Sequence, residues 1–253
     1  MSVRSVRQAM TAMGRGGAGN VSVMRDVLGF WRGTPPTDPD TGAPVEVTLG
    51  EEFTALERRH VHLNLIEVGF DAAGVGSLDA ADDKVDYAVH RIRRIWADAS
   101  LGLGRVQYFW LGVADARGYD DLGSESEADD LSDDFSAAGD GIDMFLVANI
   151  SDPDFVGISP RPGDCDKGDK SDGLVGGELS REPERFSRTA AHEMGHFLNL
   201  PHNHDDDECP ATTAGQNNLM AQTKCAVSVR TSVLLTSSQG STARGRCQVH
   251  PGA

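Results

Sequence analysis

HEMGHFLNLPH, residues 192–202, is the stretch whose reading decides the fold and the chemistry. If residues 187–198 are helical, His192 and His196 lie one turn apart on one face, so both imidazoles can reach a single metal ion. Glu193 then stands beside that ion, placed to take a proton from an activated water and pass it on. His202 becomes a third ligand only if the helix stops soon after His196 and the chain turns sharply. Asn199 tolerates the left-handed conformation that ends a helix, and Pro201 cannot continue one. The competing reading is a closed structural zinc site with His204 as the fourth ligand. Such sites favour cysteine, and they give no reason for a glutamate directly after the first ligand.

The pattern resembles the HExxHxxGxxH signature of the metzincin metallopeptidases, with Asn199 where the signature has glycine. Met220 in GQNNLMAQ is similar to the methionine of the family's Met-turn, although no tyrosine follows it. The short interval from His202 to Met220 and the DGLVGGEL segment (172–179) are most similar to the pappalysin-like branch. The resemblance spans residues 60–225. It implies an α+β, metzincin-like zincin fold: a twisted mixed β-sheet with packed helices in an upper lobe (51–201) and a small lower lobe (202–253). It also implies Zn2+ held by His192, His196 and His202, with Glu193 catalytic and Met220 and Asn199 as structural support.

Composition narrows the partners. The net charge of -16, from 39 acidic against 23 basic residues, disfavours nucleic acid and anionic membrane surfaces. Acidic stretches at 127–135, 165–172 and 204–208 could take Ca2+ through carboxylate oxygens, although none fits the EF-hand loop and a solvated acidic surface explains the first better. MSVRSVRQAM carries positive charge without an apolar segment after it, so no signal peptide is visible. Cys165, Cys209, Cys225 and Cys247 allow three disulfide pairings. Cys209–Cys225 would staple the loop carrying Met220 and leave Cys165–Cys247 as its companion. Two bridges would suit a secreted protein, whereas four free thiols would suit the cytosol.

Along the chain, residues 1–50 are rich in Gly and Pro and read as an extension or pro-segment remnant, with order beginning near Val45 and the catalytic domain occupying 51–253. In residues 1–50 Asp38 or Asp40 could cover the zinc in a latent form, as the resemblance to some metzincins implies, although an ordinary linker explains the segment better. HVHLNLIEVGF (60–70) alternates as a half-buried strand does, which leaves His60 and His62 structural. SLDAADDKVDY opens a helix burying Val85, Val89, Ile92 and Trp96, with Arg91, Arg93 and Arg94 on the other face. VQYFWLGVA (106–114) and IDMFLVANI (142–150) read as strands, FVGISPR (155–161) as an edge strand, DGLVGGEL as the strand feeding the zinc helix, and 230–245 as a last helix.

These readings converge on a zinc-dependent endopeptidase, a protease whose peptide or protein substrate lies extended against the edge strand. The alternatives are a metallohydrolase acting on another substrate and a silent zinc-containing binding module. A silent module has no need of Glu193.

Overall fold

β3 (His60–Val68) is buried on both faces from Leu63 onward, not on one as its alternation suggests. The reason is two layers of cover. Leu63 and Leu65 point into one apolar cluster, Ile66 and Val68 into another, on opposite sides of the sheet. The structure, a computed structural model, describes residues 11–13, 20–27, 38–43, 59–69, 78–167, 172–204 and 208–252.

The main sheet has six strands in the order β1-β2-β4-β3-β6-β8, where β1 is Thr11–Met13, β2 Asn20–Val27, β4 Gly102–Leu111, β6 Ile142–Val147 and β8 Gly173–Glu178. β4, β3, β6 and β8 run parallel, while β2 joins β4 antiparallel and β1 joins β2 antiparallel. The sheet is therefore mixed. Residues 20–27, ahead of the start expected near Val45, join the sheet through the ladder from β2 to β4. A strand in that Gly-rich stretch draws its hydrogen bonds from a distant partner, which local composition does not report.

α1 (Leu78–Asp98) connects β3 to β4 and buries Val85, Val89, Ile92 and Trp96, as their spacing predicts. Arg91 is only half-buried and pairs with Glu184, while Arg93 is buried, so the three arginines do not share a solvent face. From β4 the chain passes back across β3 to β6, reversing the direction of winding. Such a reversal puts the connecting helix on the opposite face of the sheet. That helix is α3 (Glu125–Asp134), which follows a short α2 (Val113–Ala116) and buries Ala128 and Leu131 against the second cluster.

The acidic stretch 127–135 thus belongs mostly to a packed helix. Glu127 accepts from the Gly123 amide, and Asp134 pairs with Arg117. Calcium finds no support here, because neither of the metal-capable groups among the described residues is a carboxylate cluster. Residues 168–171 and 205–207 of the other two stretches lie outside the described residues.

Two further boundaries differ. IDMFLVANI splits into β6 and a two-residue β7 (Asn149–Ile150), which pairs with β5 (Asp121–Leu122) in a separate small sheet. FVGISPR contributes a single antiparallel bridge, Ile158 to Val175 of β8, since Pro160 and Pro162 lack the amides that a longer ladder requires.

After β8 comes α4 (Pro183–Phe197), with Pro183 in its first turn where a missing amide costs nothing. It packs on the same face as α1, and Phe186, Ala190, Met194 and Phe197 join the first cluster. Beyond His202 lie α5 (Thr213–Gln216), a 3-10 turn at Thr223–Cys225 and α6 (Ser237–Arg244), closed at its start by a Thr236–Gln239 capping box. Among the described residues no helix is long and apolar enough to cross a membrane.

Cys209 is bonded to Cys225 and Cys165 to Cys247. Closing a loop with a sequence separation of 16 removes unfolded-chain entropy. The Cys209→Ser/Cys225→Ser variant is expected to lose about 3 kcal/mol in denaturant unfolding, and an unchanged midpoint would show that the bridge is thermodynamically idle.

Candidate metal centre

Asn199 ends α4 at φ 70°, inside the left-handed region. Its amide bonds to the His196 carbonyl and the Leu200 amide reaches the Gly195 carbonyl, the two bonds of a Schellman motif. The turn does more than stop the helix, because the carbonyl it exposes at Leu200 accepts a 2.7 Å bond from His196 Nδ1. His192 Nδ1 makes the equivalent 2.7 Å bond to the Leu219 carbonyl. A carbonyl can only accept, so Nδ1 of both rings carries the proton and both Nε2 atoms present lone pairs.

Those lone pairs converge. His202 Nε2 stands 3.3 Å from His192 Nε2 and 3.1 Å from His196 Nε2. Zinc–nitrogen bonds of 2.0–2.1 Å at tetrahedral angles put ligand nitrogens about 3.3–3.4 Å apart, so the donor set fits that ion. A cation among them would be met by the bare lone pairs of His192 and His196. Burial holds His192 well below its ordinary pKa, with the neighbouring His196 acting in the same direction, so the ring is neutral as a ligand must be.

Glu193, the next residue of α4, is 5% exposed, and burial pushes its carboxyl up to about 8 against the opposing pull of Arg188. Gly157 lies against it. A Cβ there would come within 2.9 Å of Glu193 Cγ and 2.8 Å of Thr189 Cγ2, so the loop before β8 reaches the glutamate only because residue 157 has no side chain.

Met220 is fully buried in a turn closed by the Ala221 amide on the Asn218 carbonyl, with Asn218 Oδ1 holding the Met220 amide. A Cβ on Gly195 would lie 2.5 Å from Met220 Sδ, so the glycine inside the helix is what admits the methionine beneath it. The side chain of Gln239 pairs with Asn218, tying α6 to this turn.

His204 does not complete a four-ligand site. Its Nε2 accepts the Gln222 amide, and it is absent from the group of ligand atoms formed by His192, His196 and His202. Asp38 and Asp40 do not cover the metal centre either: both pair with Arg230, which binds their carboxylates before an ion can. Sequence reasoning missed Gly195, Gly157 and Asn218, whose roles depend on close approach between segments distant in the chain.

His62, Asp140 and His250 form a second group with ligand atoms in mutual reach. Its hydrogen bonding argues against a metal. His62 Nδ1 accepts the Arg105 amide at 2.9 Å, so the proton of the neutral ring sits on Nε2, the atom that faces Asp140. Burial pushes His62 down to about 4, with Asp140 opposing and His250, Arg105 and His60 adding to the fall. His62 is thus tied by Nδ1 to the backbone of Arg105, with Nε2 towards Asp140.

No protein-family model matches the chain, and neither does any curated protein. Among solved structures, it is similar to the crystal structure of archaemetzincin from Methanopyrus kandleri, at 17% identity and a TM-score of 0.43, over 73% of this chain and 94% of that one. A likeness of that size leaves the function to be read from the side chains.

Two outcomes are expected. Asn199→Gly should keep zinc affinity, since glycine takes positive φ without strain, whereas Asn199→Val should weaken it at least tenfold by moving Leu200 and His202. Equal affinity of the two variants in a chelator titration would contradict the turn's role. His62, depressed from 6.5 to about 4, favours folding fully above pH 6.5 and loses that contribution as pH falls towards 4. His62→Asn should therefore lose less stability than the parent over this window, and parallel acid unfolding curves would refute the assignment.

Proposed function

We propose that the protein is a zinc-dependent metallohydrolase, and more narrowly a metzincin-type endopeptidase. The observation that carries the reading is the convergence of three Nε2 atoms, two with their protonation fixed by carbonyls behind them. His192, His196 and His202 would hold the ion, leaving a position open to water and substrate. Bound zinc supplies Lewis acidity, polarising a carbonyl and lowering the pKa of water.

Glu193 does the proton work. Its carboxylate takes the proton of the attacking water and returns it to the leaving amine as the scissile bond breaks. Burial raises the carboxyl's affinity for a proton while the Arg188 charge opposes the rise, so the group can both take a proton and give it back. An extended peptide would run along the loop of residues 155–159, where the backbone at Gly157 stands against Glu193. Main-chain hydrogen bonds to such a segment tolerate varied side chains.

Placement in the pappalysin-like branch rests on the short His202–Met220 interval and the DGLVGGEL strand. Two disulfides support an extracellular setting. The buried Glu193 speaks against a silent binding module, because a buried carboxyl without catalytic work costs stability.

Glu193→Gln keeps the shape and removes the base. Hydrolysis of a peptide library, read by mass spectrometry, should fall at least about a hundredfold with zinc content unchanged. Undiminished cleavage would remove Glu193 from the mechanism. A zinc-loaded parent protein that cleaves no peptide would point to another substrate class.

A further inference from the structure

We infer that Arg188 is a positioning residue for the metal centre, setting how firmly His192 is held to zinc through the carbonyl of Leu219. The inference rests on the reading of His192, His196 and His202 as zinc ligands.

Arg188 precedes His192 by one turn of α4, so the two side chains leave the helix on the same face. It is 1% exposed, and although the Glu193 carboxyl interacts with its charge, its hydrogen bonds go to backbone carbonyls and one hydroxyl. A buried charge is strongly disfavoured unless polar groups surround it. Here backbone carbonyls do so. Nη2 donates to Ala221 O at 2.7 Å, Leu219 O at 3.2 Å and Asn218 O at 3.4 Å. Nε donates to Ser232 O at 2.8 Å, and Nη1 to Thr223 Oγ1 at 3.0 Å.

Three carbonyls of the turn carrying Met220 therefore aim inward at one cation. Without that charge their dipoles repel and lose their donors, and the turn opens. Leu219 is the link to the metal, since its carbonyl accepts from both Arg188 Nη2 and His192 Nδ1. Moving that carbonyl releases the His192 ring from the orientation that points Nε2 at the ion. Burial lowers Arg188 only to about 10, so the charge persists at neutral pH. The planar fork matters as well as the charge, because an ammonium cannot span carbonyls on both sides of the turn.

The test measures zinc affinity by chelator competition, together with the visible spectrum of cobalt-substituted protein, in Arg188→Met, Arg188→Lys and Arg91→Met. Arg91 also donates to a distant carbonyl, Arg230 O, and pairs with Glu184, but it touches neither Leu219 nor a histidine in these bonds. Zinc affinity should fall about 10–100-fold in Arg188→Met and several-fold in Arg188→Lys, with altered cobalt spectra, while Arg91→Met keeps both readouts. Should Arg188→Met not fold, Arg188→Lys decides. Parental affinity and an unchanged cobalt spectrum in the folded Arg188 variants overturn the inference. A parent protein that binds no zinc overturns the underlying reading instead.

Discussion

Two hydrogen bonds govern the metal centre: His192 Nδ1 to the Leu219 carbonyl and His196 Nδ1 to the Leu200 carbonyl. Each fixes a tautomer, a ring orientation and hence the direction of a lone pair. The acceptors come from different sources. Leu200 is supplied by the Schellman turn that Asn199 makes possible, and Leu219 by the turn around Met220, which folds back from beyond the disulfide-bonded Cys209. The chain after His202 is thus joined to α4 through the Nδ1 atom of His192, and the Asn203 amide adds a bond to the Met220 carbonyl.

The sheet explains why α4 can carry such a site. Its first apolar cluster gathers α1, α4 and one face of β3, β6 and β8, so the helix is anchored along its length by Phe186, Ala190, Met194 and Phe197. Burial of large apolar side chains at roughly 1.5–3 kcal/mol each provides the surplus against which buried Glu193 and Arg188 are tolerated. The same packing limits substitution at Gly195, where even one methyl group meets Met220.

The parts of the site legible in the sequence were those set by local geometry. His192 and His196 follow from helical spacing, Asn199 from its tolerance of positive φ, and His202 from the stop it imposes. The Cys209–Cys225 pairing was one of three open to four cysteines, preferred for the loop it would staple. Arg188 escaped notice because an arginine four residues before a ligand looks like any exposed helical cation, and only the distant turn it binds reveals its burial. Strand β2 and helix α3 were missed for a related reason. β2 is held by its ladder to β4, and the few apolar residues of α3, Ala128 and Leu131, are masked in sequence by the acids around them. Arg230 similarly holds Asp38 and Asp40, which one of two readings of that segment had placed over the ion.

The central claim is that three histidine nitrogens form one zinc site with an open position, and X-ray absorption at the zinc edge of stoichiometrically loaded protein tests it most directly. The account predicts three nitrogen ligands at about 2.0–2.1 Å with an additional oxygen, and one nitrogen fewer in His202→Ala. A sulfur ligand, a fourth histidine, or the same spectrum in His202→Ala would contradict it.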